Sequence, residues 1–260
     1  MFAIEGGFHL PYLQGLPLLD AGSYAWAHRV QYLLLALFGL GLATRAAGAA
    51  LCLLQGWVLL ADQMNFRNHT YFFLLVLALL TVSPCDDTLS VRAWLAGRRG
   101  RRAILHPAPR PLTAQRLIQL QVSIVYVYAA LMKLNPQYLG GTVIARQMQD
   151  WVGAGGGQGA AAGGLAESAA GAGPSIWIAL AWGSILLEVF LGVALWWPRS
   201  RPLALALGVA FHLALAVVMG VWTFSIAYVA TYLLFLDPDT LPRAFGRMVT
   251  RRSARRIAAS

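Results

Sequence analysis

Apolar residues gather in seven runs along this chain, at positions 27–44, 46–64, 69–83, 116–134, 175–197, 202–220 and 222–236. Most are long enough for a helix to cross a hydrocarbon layer of roughly 30 Å at about 1.5 Å per residue. The runs at 69–83 and 222–236 are short and must recruit flanking residues, or be partly re-entrant. The pattern predicts an all-α integral membrane protein, a bundle of about seven transmembrane helices over residues 27–236.

Composition agrees. Only 12% of residues are charged and 58% are hydrophobic, whereas a soluble domain carries about 25% charged residues. The net charge of +10 is therefore read by its side of the bilayer and not as a nucleic-acid surface. Cys52 and Cys85 have no metal-ligand spacing and form no disulfide framework, so no metal is predicted.

The arginines sort by connection. Arg45 follows the first run; Arg92, Arg98, Arg99, Arg101, Arg102 and Arg110 lie in the stretch 84–115. Arg199 and Arg201 separate runs five and six, and six more fill the tail 237–260. The opposite connections hold only Arg67 and Arg146. Basic residues favour the cytoplasmic side, which puts the N-terminus outside and the C-terminus in the cytoplasm. Residues 1–26 then form an extracytoplasmic segment, not a cleavable signal. The Gly/Ala-rich stretch 152–174 is an outer loop, and the Arg-rich tail 237–260 rests on anionic lipid.

Nineteen of the twenty basic residues are arginine; the one lysine is Lys133, at the end of the fourth run. A charge in hydrocarbon costs roughly 3 kcal/mol or more. Unlike arginine, an amine taken out of water can shed its proton. Gln119, Ser123, Tyr126, Ala130 and Lys133 are spaced 4, 3, 4 and 3 apart, a polar stripe on one helical face. The topology sets Lys133 near the outer boundary, level with Asp62, Asn68 and His69. Deeper, Glu188 and His212 fall at similar depth on an antiparallel hairpin with its turn at 198–201, near the bilayer centre, with Ser184 one turn from Glu188.

Several of these residues carry a resemblance. Asn68-His69-Thr70-Tyr71, Leu89-Ser90-Val91, the run Tyr126 to Pro136, Tyr138-Leu139-Gly140-Gly141, Phe211-His212 and Leu236-Asp237-Pro238 occur in that order. Together they resemble the membrane region of vitamin K-dependent γ-carboxylase and the wider bacterial HTTM (horizontally transferred transmembrane) domain group, over nearly the whole chain. The resemblance implies a bacterial plasma-membrane protein acting on a vitamin K-type hydroquinone or another lipophilic quinol, with Lys133 as the base. In the carboxylase, oxygen addition and epoxide formation then drive removal of a glutamate γ-proton and carboxylation. By the same resemblance Lys133 and His69 are catalytic, and Asn68, Tyr71, Tyr126 and His212 are substrate-binding; Glu188, singled out by its depth beside His212, is taken as substrate-binding with them. The soluble region that captures protein substrates in the carboxylase does not follow the seventh run here, so a separate soluble partner is expected. Arg92 stands where the family often has an acidic residue, and Leu213-Ala214-Leu215 replace polar residues expected after Phe-His.

Other readings remain open. A non-catalytic membrane scaffold or a small-molecule transport component would also carry buried polar residues. A retinal-binding protein is excluded because the seventh run, 222–236, has no lysine.

Overall fold

The computed structural model describes residues 20–61, 68–87, 90–98, 112–153 and 173–236, with Leu13, Leu16 and Gly171 as isolated positions. Asp62, Arg67, Arg99, Arg101, Arg102, Arg110, most of the Gly/Ala-rich stretch and the tail 237–260 lie outside the described residues. Among the described residues the regular structure is entirely helical. The chain forms two compact units, residues 1–117 and 118–260.

The first unit contains α1 (Ala21–Gly39), α2 (Thr44–Ala61), α3 (Asn68–Val82) and α4 (Val91–Arg98). Helix α1 starts six residues before the apolar run. Asp20 explains this: its carboxylate accepts from Ser23 N at 2.8 Å and from Ser23 Oγ at 2.9 Å, satisfying donors at the helix start. Helix α2 packs on both α1 and α3, burying Ala47, Leu51 and Phe72. The start of α4 is tied to the end of α1 by Val91 N donating to Leu40 O at 2.9 Å.

The second unit begins within α5 (Thr113–Met132) and continues with α6 (Pro136–Leu139), α7 (Thr142–Trp151), α8 (Pro174–Ala194), α9 (Arg201–Met219) and α10 (Trp222–Thr231). A 3-10 turn, Tyr232–Phe235, completes it. Helices α8 and α9 form the predicted hairpin. Arg201, expected as a cytoplasmic anchor, closes it by donating from Nε to Leu195 O at 3.1 Å and from Nη2 to Trp196 O at 3.3 Å. These carbonyls at the end of α8 have no intrahelical donor, and a cation suits their negative dipole end.

The short helices α6 and α7 were not expected. Asn135 starts α6, its side chain accepting from Tyr138 N at 2.9 Å with Pro136 at the first helical position. Gly141, at φ +76°, lets the turn lie directly on α8: a Cβ there would stand 2.6 Å from the Trp177 backbone. Helix α7 packs against α8 and α9. Its polar residues Arg146, Gln147, Gln149 and Asp150 break the apolar run, so hydropathy alone did not mark it.

Helices α2, α8 and α9 are each long and apolar enough to cross a membrane. His69–Val82 and Trp222–Phe235 are shorter apolar helices. Helices α1 and α5 have 19 and 20 residues but carry Arg29 and the polar stripe respectively. All seven predicted runs thus reappear as helices, with ends moved by a few residues.

Candidate functional site

The polar stripe on α5 is real and faces inward: Gln119, Ser123, Tyr126 and Ala130 are buried. Each polar member meets a different part of the unit. Gln119 Nε2 donates to Leu234 O at 2.6 Å. Ser123 Oγ accepts from Trp196 Nε1 at 2.7 Å, which ties the residues just past α8 to α5. Such contacts act as glue between helices where lipid removes the usual hydrophobic drive.

Tyr126 is the centre of an aromatic cluster. Its hydroxyl lies 2.7 Å from His212 Nε2 and is hydrogen-bonded to the Tyr232 hydroxyl. The His212 ring stacks on Tyr228 with centroids 5.2 Å apart and planes at 25°, and Phe224 packs on Tyr228 at 4.4 Å. Gly208, one turn before His212, leaves room for Tyr232: a Cβ at that position would run into the tyrosine hydroxyl.

Lys133 lies two turns beyond Tyr126, just past the last residue of α5. Its Nζ donates to Glu188 Oε1. The Tyr138 ring centroid is 5.5 Å from Nζ and the Phe211 centroid 6.0 Å. Tyr138 in turn bonds to Ser184 Oγ at 2.8 Å, so α6 is fastened to α8 one turn from Glu188. The pair is unequal in exposure, Lys133 keeping 23% of its side-chain surface and Glu188 5%.

Similar depth on the hairpin does not bring Glu188 and His212 into a bond with each other; their partners are Lys133 and Tyr126. The two atoms that could have met, Glu188 Oε2 and His212 Nδ1, are buried and have no hydrogen-bond partner among the described residues. Lys133 is also not set apart from Glu188 in depth. Glu188 lies 14 residues after Pro174, about 20 Å along α8, and the end of α5 meets it there. Counting residues along a hairpin fixes level but not which way each side chain turns, and α5 supplies both missing partners.

His69, Asn68 and Tyr71 belong to the first unit and are described with it. They open α3, where His69 is half-buried with its ring 6.1 Å from Phe73, and Tyr71 is exposed. Asn68 is the first helical residue; its side chain lies outside the described residues. In the same unit Arg92, at the position where an acidic residue was expected, is paired with Asp86. Burial pushes the Asp86 carboxyl up, but the hydrogen bond and charge of Arg92 outweigh it and hold Asp86 below its ordinary range. Ser90 locks the corner, donating to Asp86 O at 2.6 Å and accepting from Ala93 N at 3.0 Å.

Tyr138, Tyr228 and Tyr232 were not predicted as site residues. Tyr228 and Tyr232 are four apart in an apolar run, which on a helix stacks two hydroxyl-bearing rings on one face, and that spacing was readable.

The helices of the described residues, three of them long and apolar enough to cross a membrane, and the inward polar stripe define an all-α membrane protein with polar groups among its buried residues. The HTTM domain family model matches residues 2–240, and the chain belongs to that family. No solved structure matches the chain.

Proposed function

We propose that this chain is a membrane enzyme similar to vitamin K-dependent γ-carboxylase, acting on a quinol or similarly lipophilic substrate with Lys133 as general base. The observation that carries the reading is the Lys133–Glu188 pair, walled by the Tyr138 and Phe211 rings inside one helical unit. Membership of the HTTM domain family supports it. An ammonium becomes a base only after giving up its proton, and Glu188 is the acceptor in contact. Transfer from Nζ to Oε1 leaves a neutral amine and a neutral acid, so no net charge is created in an apolar site. The amine then takes the proton of a substrate hydroxyl, and the resulting Lys133 ammonium balances the substrate oxyanion. The residues present fit a hydroquinone: aromatic rings for its face, and a buried acceptor for a hydroxyl.

In this reading the seven apolar helices all span the bacterial plasma membrane, with the N-terminus outside and the C-terminus in the cytoplasm. The Arg-rich connections lie on anionic lipid. A vitamin K-type hydroquinone serves as cosubstrate, and a separate soluble partner presents any protein substrate. Tyr126 and His212 contribute from the same unit as the lysine.

The test is mass spectrometry of lipids extracted from the purified protein, followed by quinol turnover. A co-purifying quinone that is lost in Lys133→Ala, with turnover lost in Lys133→Ala and Lys133→Arg, is the expected result. Retained turnover without the lysine would sink the assignment. The alternative is a non-catalytic scaffold or small-molecule transport component. It is favoured by the interhelical contacts of Tyr126 and Gln119, which also serve a purely structural role, and it requires Lys133→Met to leave the phenotype intact.

A further inference from the structure

Resting on the quinol reading, we infer that Glu188 makes this site selective for the reduced, hydroxyl-bearing form of its ligand over the oxidised carbonyl form. The starting point is the pair of buried atoms without partners. Glu188 is 4% exposed and His212 1% exposed, yet Glu188 Oε2 and His212 Nδ1 have no hydrogen-bond partner among the described residues. Buried polar atoms are nearly always paired, so atoms left open beside a charged pair are positions for a ligand's polar groups. Both stand in the same region. The Phe211 ring lies 6.0 Å from Lys133 Nζ, which holds Glu188, and 5.7 Å from the ring of His212, whose other nitrogen is held by the Tyr126 hydroxyl. The rings of Phe211, Phe224, Tyr228 and Tyr138 supply aromatic surface around them.

The two open atoms differ in what they accept. His212 is adaptable: its Nδ1 donates or accepts according to the tautomer, which the Tyr126 hydroxyl can follow by rotating. Glu188 is not. Its Oε1 is engaged by Lys133, and whichever side of that contact holds the proton, Oε2 offers only lone pairs. A hydroxyl placed against Oε2 completes a hydrogen bond to a charged or strongly polar acceptor. A quinone carbonyl placed there sets lone pairs against lone pairs and leaves Oε2 buried and unsatisfied. Sites built to hydrogen-bond a hydroxyl reject the analogue that lacks it far more strongly than apolar pockets reject a change of size. The structure thus assigns Glu188 a second role besides receiving the lysine proton: it sorts the two redox forms of one ring.

The experiment uses the full chain in nanodiscs of neutral lipid, held without oxygen. Binding of durohydroquinone and of duroquinone is measured by quenching of tryptophan fluorescence. The wild type is expected to bind the quinol at least about tenfold more tightly than the quinone. Glu188→Gln, whose amide can donate as well as accept, is expected to bring the two dissociation constants within about twofold of each other. Equal binding of both forms by the wild type overturns the inference while leaving the quinol reading intact, and so does a preference for the quinone. A preference that survives in Glu188→Gln overturns the assignment to Glu188. Failure to bind either form overturns the quinol reading and this inference together. The wild-type ratio decides the matter even where the variant does not fold.

Discussion

The Tyr126 hydroxyl lies 2.7 Å from His212 Nε2, and this contact fastens the middle of α5 to the middle of α9. Tyr126→Phe removes the partner and leaves both nitrogens of a fully buried imidazole unpaired. An orphaned buried polar group costs about 1–3 kcal/mol. Measured interhelical bonds in membrane proteins fall lower, near ~0.6 kcal/mol on average, because the unfolded chain in lipid also finds partners. A loss of about 1 kcal/mol is expected, read from detergent-phase unfolding followed by tryptophan fluorescence. A variant as stable as the parent would show that the bond is not formed.

Lys133 and Glu188 should be far less costly to lose together than singly. Lys133→Met strands a carboxylate that keeps only 5% of its side-chain surface. Breaking one side of a buried pair typically costs about 3–5 kcal/mol, while apolar replacement of both is often neutral. Lys133's partial exposure lowers the single-variant figure to about 2 kcal/mol here. The double variant Lys133→Met/Glu188→Leu is expected to recover most of that loss in the same unfolding assay. It also separates the two functional readings: a stable double variant with no quinol turnover marks a reactive site, and an intact phenotype marks a scaffold.

What the sequence made legible follows from which interactions are local. Hydropathy places the seven apolar helices because a run of apolar residues is a local property, whereas α4, α6 and α7 lie outside those runs. The stripe from Gln119 to Ala130 was equally readable, since spacings of 4 and 3 fix a face without any knowledge of neighbours. Helix α1 was misplaced at its start because Asp20 sets that end, and a cap says nothing about lipid. The Lys133–Glu188 pair, 55 residues apart in the chain, depends on how far α5 slides along α8. That offset is decided by packing, including the α6–α7 turn seated on Trp177 through Gly141, and no single segment records it. Arg92 is a similar case: it looked like a departure from a pattern until Asp86 supplied its counter-charge.

Gly208 should tolerate no side chain. The Tyr232 hydroxyl fills the place of a Cβ, and Cζ and Cε2 of that ring would stand 2.8 and 2.9 Å from it. Gly208→Ala must push the tyrosine off the Tyr126 hydroxyl or shift α9, and overpacking of this kind costs roughly 1–3 kcal/mol. Adding Tyr232→Phe relieves only the hydroxyl clash, so partial rescue is expected, and Tyr232→Ala should rescue the clash while opening a void. Wild-type stability in Gly208→Ala, measured by the same unfolding assay, would place Tyr232 elsewhere.

The Asp86–Arg92 pair gives the first unit a dependence on acid. Because Arg92 holds the Asp86 carboxyl below its ordinary range, the folded chain binds that proton less readily than the unfolded chain does. The stabilisation is therefore complete above the unfolded carboxylate value of about 3.9 and is lost as pH falls through the lower folded value. Arg92 keeps 61% of its side-chain surface, so the contribution is screened and should stay below about 1 kcal/mol. The comparison is wild type against Arg92→Gln, unfolded at pH values from 6 down to 3. The wild type should be the more stable above pH 4, the difference should close below it, and added salt should shrink it throughout. A gap that stays constant across the range would mean that Arg92 stabilises the corner by packing its stem and not by its charge.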